Sequence, residues 1–177
     1  MIRLFVALQL PENVRTRLTA LQGGVPGARW ASDSQLHLTL RFIGEVDGNV
    51  AHDIDEALAG IRAPAFALEL LGVGEFGGKR PRALWAGVRA NEALLHLQKK
   101  IETALQRIGL AAEERKFSAH VTLARMRSSP REKVVQFLTH HGLFASEPFK
   151  VEHFVLFSSH LGSGGSVYHA ERIYPLT

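Results

Sequence analysis

Arg3 and Gln9 bracket an apolar run, Leu4-Phe5-Val6-Ala7-Leu8, that carries aromatic and β-branched side chains, and Pro11 ends the segment after Leu10. A short run of that kind predicts a strand. From Pro11 to Leu21 the apolar residues spread out, with Val14, Leu18 and Leu21 on one face and Gly23-Gly24 beyond, which predicts a helix. Alternation marks Leu36–Ile43, closed by Gly44; helical spacing resumes over Asn49–Ile61, and Phe66–Val73 reads as a strand. A turn-rich stretch from Gly72 to Arg82 follows. The order then repeats: strand Ala83–Arg89, helix Asn91–Ile108 with Gly109 past its end, strand Phe117–Arg125, helix Arg131–His140 after Pro130, and strand Phe149–Ser158. A last strand, Val167–Tyr174, lies beyond the glycine-rich loop of residues 162–165.

Each half therefore reads β-α-β-α-β. The expected fold is α+β: two pseudo-symmetric lobes with mainly antiparallel sheets around a central cleft and helices outside. Residues 1–177 are expected to form one domain, with lobes of about 1–75 and 83–177.

The central strand of each half carries one tetrapeptide pattern, His37-Leu38-Thr39-Leu40 and His120-Val121-Thr122-Leu123. Side chains alternate between the faces of a strand, so His and Thr share one face while the apolar pair anchors the other. Two imidazoles meeting in one cleft can divide acid and base roles, and two hydroxyls can hold a polar group between them.

Composition narrows the chemistry. The chain has no cysteine, which excludes disulfides, thiolate catalysis and Cys-type zinc sites. Among the remaining histidines, His140-His141, His52, His153, His160 and His169 show no metal-ligand spacing, so no metal and no cofactor is expected. No run of 18 apolar residues occurs, and Pro11 punctuates the start too early for a secretory signal; a soluble cytoplasmic protein without membrane contact is the expectation. A net charge of +4, spread over clusters such as Lys79-Arg80 with Arg82 and Arg115-Lys116, suits a phosphate-bearing partner.

These residues resemble the two-histidine (2H) phosphoesterase superfamily, specifically its bacterial and archaeal RNA 2',3'-cyclic phosphodiesterase branch, also called LigT-type 2'-5' RNA ligases. The likeness runs from Arg3-Leu4-Phe5-Val6-Ala7 and Leu10-Pro11, through the segment from His37 to Val46, Trp85 and the segment from Phe117 to Arg125, to Leu156-Phe157-Ser158 and Gly165-Ser166-Val167-Tyr168. It departs at Ala119, where the family often has Pro, and at Gln9, where an acidic residue is frequent. The resemblance implies a hydrolase that opens RNA 2',3'-cyclic phosphate ends to 2'-phosphates, with weak reversible 2'-5' ligation. His37 would be the proton donor to the leaving O3' and His120 the acceptor from water; the residues alone leave that near-symmetry open. Thr39 and Thr122 would bind the phosphate.

Two arginines stand at opposite offsets from the histidines. Arg125 lies five residues after His120, an odd offset that faces away from the site unless the strand bends, yet the family pattern places a basic residue there. Arg41, at an even offset from His37, is expected in the cleft. Both are candidate substrate-binding residues. Phe42, out of register with His37, is assigned to the core rather than to base stacking; Trp85 fits a base platform or a lobe contact equally. The expected partner is RNA with 2',3'-cyclic phosphate ends, tRNA fragments among the sources, held by Lys79 to Arg82 and by Arg115-Lys116; no protein partner is implied. The alternatives are a cyclic phosphodiesterase of small nucleotides such as ADP-ribose cyclic phosphate, and a non-catalytic RNA-end binding module.

Overall fold

Five consecutive buried residues, Leu4 to Leu8, make β1 (Ile2–Gln9) a strand covered on both faces. The computed structural model describes residues 1–177. Leu4, Val6 and Leu8 join a main core of 35 residues, while Phe5 and Ala7 pack with Val155 and Phe157 in a separate small cluster on the opposite face.

Along the chain, α1 (Glu12–Thr19) leads to the two-residue β2 (Arg29–Trp30) and a 3-10 turn (Asp33–Gln35). Then come β3 (His37–Val46), α2 (Gly48–Ala59), β4 (Phe66–Leu68), β5 (Leu70–Phe76) and β6 (Ala83–Val88). The second half continues with α3 (Glu92–Arg107), β7 (His120–Arg125), α4 (Arg131–His140), β8 (Phe149–Val151), β9 (His153–Gly162) and β10 (Gly165–Pro175). Helix starts follow local chemistry. Asp47 accepts a hydrogen bond from the Val50 N–H at 2.9 Å and Asn91 one from the Leu94 N–H at 3.0 Å, each satisfying an otherwise orphan donor. On α3, Leu94, Leu97, Ile101 and Leu105 are all buried, and each contributes about 1.5–3 kcal/mol by leaving water.

One sheet runs in the order β10-β9-β1-β3-β7-β6-β5, with β2 added beside β7, and every pairing in it is antiparallel. A second, two-stranded sheet pairs β4 with β8. The repeat is spatial as well as sequential, since β3 and β7 are neighbours at the centre, flanked by β1 and β6 and then by β9 and β5. The lobes do not follow the expected division at residues 75–83. Strand β5, from the first half, pairs with β6, and β9, from the second, pairs with β1. The first half thus hands β5, and the second half β9 and β10, to the other's side of the sheet, which ties the halves into one core. The expected single strands over 66–73 and 149–158 are each broken in two, one piece entering the small sheet and one the large.

Candidate active site

The two motif strands touch through one antiparallel bridge, Leu38 with Val121. That register sets His37 opposite Thr122 and Thr39 opposite His120, so the four side chains form a square on one face. The histidines occupy its diagonal, roughly 7–8 Å apart at Cα in ideal ladder geometry. Behind the square, Leu38, Leu40, Val121 and Leu123 are buried in the core.

Both imidazoles are locked by the same local bond. His37 Nδ1–H donates to the Gln35 carbonyl at 2.8 Å, and His120 Nδ1–H donates to the Ser118 carbonyl at 2.7 Å. A carbonyl can only accept, so each neutral ring carries its lone pair on Nε2. For His37 that nitrogen accepts from the Thr39 hydroxyl at 2.9 Å.

A β-bulge recurs at the last residue of each tetrapeptide. On β3, Ala7 pairs with Thr39 but Val6 with Arg41, leaving Leu40 unopposed; on β7, Trp85 pairs with Thr122 but Leu84 with Ala124, leaving Leu123 unopposed. An extra residue reverses the alternation beyond it. Arg125 therefore returns to the histidine face, where its charge acts on His37. The same slip corrects two expectations. Arg41 does not enter the cleft: it is 8% exposed, and its Nε donates to Glu102 of α3 at 2.5 Å, with further bonds to the Phe42 and Ala111 carbonyls. Phe42 is not core: it is 54% exposed and its ring lies 5.9 Å from Phe5 on the histidine side.

Aromatic rings wall both histidines. The His37 ring is 4.9 Å from Phe5, 5.2 Å from Tyr168 and 6.1 Å from Phe157, and the His120 ring is 5.0 Å from Phe76 and 6.3 Å from Trp85. Trp85 lies flat across Gly74, where a Cβ would fall 2.1 Å from its Cζ2, so this glycine is required by close approach. Burial lowers the His37 pKa to about 4; the Gln35 carbonyl opposes the shift, and the charges of Arg125 and His120 add to it. Burial opposes ionisation of Glu102, but its bonds from Arg41, the Glu113 N–H and Gln106 prevail and hold its carboxyl below the usual range.

The remaining candidates lie around this centre. The turn of residues 77–82 sits beside the end of β7, since the Met126 N–H donates to the Arg82 carbonyl at 2.8 Å. Arg115 and Lys116 are exposed just before β7. No three His, Asp or Glu side chains converge as a metal site, and no helix is long and apolar enough to cross a membrane. Beyond the expected candidates, the rings of Phe5, Phe76, Phe157 and Tyr168 stand against the histidines, and Arg29 lies opposite Arg125 at the edge of the site. The signal for Arg29 was faint: in Arg29-Trp30, Trp30 turns to Phe137 of α4, 5.6 Å between rings, which sends Arg29 to the opposite face.

A family model described as the 2'-5' RNA ligase superfamily matches residues 10–163. The chain belongs to this superfamily. It is 31% identical over 176 residues to a Thermotoga maritima protein named RNA 2',3'-cyclic phosphodiesterase, covering 94% of this chain and 91% of that one. An Aeropyrum pernix protein of the same name is 40% identical over 117 residues, 65% of this chain and 66% of that one. The crystal structure of Escherichia coli LigT complexed with 3'-AMP superposes with a TM-score of 0.82 at 25% identity, covering 99% of this chain and 98% of that one. The antiparallel α+β fold of this superfamily member is thus shared with Escherichia coli LigT.

Proposed function

We propose that this superfamily member hydrolyses the 2',3'-cyclic phosphate ends of RNA to 2'-phosphates by acid–base catalysis between its two histidines. The observation that carries the reading is the pair of Nδ1–carbonyl bonds, which leaves both Nε2 atoms, one on each motif strand, to exchange protons with a group between them. In the forward step His120 Nε2 takes a proton from water, the water oxygen bonds to phosphorus, the P–O3' bond breaks, and O3' takes the proton from His37 Nε2. One proton enters the pair and one leaves. Thr39 and Thr122 donate to the non-bridging oxygens, and Arg125 balances their charge. Among protein charges alone His37 is neutral at pH 7, so its donor role requires the anionic phosphate beside Arg125 to raise its proton affinity. A 5'-hydroxyl in place of water gives a 2'-5' linkage by the same chemistry, the route that a weak ligation would take.

Phe42, exposed and backed by the buried ring of Phe5, offers a face for the terminal base. The names of the Thermotoga and Aeropyrum relatives and the 3'-AMP in the Escherichia coli structure support a ribonucleotide phosphate as the substrate class. The test is incubation with an oligoribonucleotide ending in a 2',3'-cyclic phosphate, in excess chelator. A 2'-phosphate product at undiminished rate is expected. A 3'-phosphate product, or turnover that chelation abolishes and one divalent ion restores, would overturn the mechanism. Binding without turnover would leave the chain an RNA-end binding module.

A further inference from the structure

The bridge that follows the histidine square along β7 pairs Arg29 of β2 with Arg125. Directly opposed residues of an antiparallel ladder share a face, with Cβ atoms about 4.5–5.5 Å apart, and like charges in that position repel. Neither guanidinium has an ion-pair partner: the ion pairs of the chain involve Arg15, Arg41, Arg89, Arg115, Lys150, Arg172 and His52. The acid closest to Arg29 in sequence, Asp33, is bonded by Arg15 at 3.3 Å. Arg29 also spans the cleft rim. A Cβ built on Gly165, at the start of β10, would lie 4.0 Å from its Nη2. The rim is anchored there by Gln35, whose amide donates to the Ser166 carbonyl at 2.9 Å. Two uncompensated guanidiniums side by side, one acting on His37, provide for more negative charge than a single cyclic phosphate carries.

We propose that Arg29 binds the phosphodiester on the 5' side of the terminal nucleotide and thereby selects RNA ends over cyclic mononucleotides. The inference rests on the hydrolase reading, in which Arg125 serves the reacting phosphate; the next charge along an RNA end is the last internucleotide linkage. Arg29 is a specificity residue that takes no part in proton transfer.

The test compares the unsubstituted protein, Arg29→Gln and Arg29→Lys on three substrates: 2',3'-cyclic AMP, an oligoribonucleotide with a terminal 2',3'-cyclic phosphate, and the same oligonucleotide with an uncharged methylphosphonate at its last linkage. Arg29→Gln should lower kcat/KM for the charged oligonucleotide at least about tenfold more than for 2',3'-cyclic AMP, and Arg29→Lys should recover part of that loss. The methylphosphonate should cost the unsubstituted protein a similar factor and cost Arg29→Gln almost nothing more. The salt slope of log(kcat/KM) for the charged oligonucleotide should fall by about 0.7, the value for one contact to a single strand. Equal losses on all three substrates, or none on any, would overturn the assignment. Failure of the unsubstituted protein on all three would overturn the hydrolase reading, and this proposal with it.

Discussion

Acid should destabilise this protein through His37, and a His37→Gln variant should escape that part of the loss. Burial, aided by the charges of Arg125 and His120, holds His37 at about 4 in the folded chain against 6.5 as the ordinary value. Between those values the unfolded chain binds a proton that the folded chain refuses. Stability therefore rises with pH across the window, is fully present above 6.5, and falls as pH drops towards 4. Linkage with these two values gives a loss of about 2 kcal/mol from pH 7 to pH 5 and about 3 kcal/mol by pH 4. Urea denaturation of both proteins at pH 7, 6 and 5 measures it. The measured quantity is the change with pH of the stability difference between the two proteins, so the absolute stability of the variant does not enter. The stability of the unsubstituted protein relative to the variant should fall by about 2 kcal/mol from pH 7 to pH 5 with equal m-values. Inorganic phosphate, an anion attracted to Arg125, should raise the His37 midpoint followed by imidazole proton resonances. Parallel stability curves, or a His37 midpoint at or above 6.5 without phosphate, would refute the reasoning.

In hydrolysis assays, His37→Ala and His120→Ala should each remove most turnover, and the double variant should be little worse, because the pair acts as a unit. Thr39→Ala and Thr122→Ala should cost about 3 kcal/mol or less of transition-state stabilisation each. Arg41→Met leaves the Glu102 carboxylate with only the Glu113 N–H and Gln106 as donors and should lower stability in denaturant by about 1–3 kcal/mol while leaving KM in place; a raised KM in a stably folded variant would return Arg41 to the site. Phe42→Ala, at an exposed position, should change stability by less than about 0.5 kcal/mol. It should raise KM for cyclic-phosphate substrates by an amount equivalent to about 1–3 kcal/mol of lost base stacking, and an unchanged KM would exclude a base contact.

Element identity was legible because its signal is local. The helix expected over Arg131–His140 has those bounds, and the expected start of α3 lies at the capping Asn91. The period of apolar residues needs no knowledge of partners. The shared face of His37 with Thr39, and of His120 with Thr122, follows from two-residue alternation alone, and the repeated tetrapeptide pointed to a repeated half. Tertiary structure decided what depends on a neighbour. A bulge exists only relative to the strand opposite, so the unopposed Leu40 and Leu123 left no mark in the chain's own spacing. They nonetheless reversed the faces of Arg41, Phe42 and Arg125, turning one expected ligand into a buried ion pair and one expected core ring into cleft surface. Strand exchange between the halves is of the same kind, because which strand β5 or β9 pairs with is a long-range choice made by the common core. Arg29 gained its position from β7, nearly a hundred residues away in sequence, where a two-residue ladder set its charge beside that of Arg125.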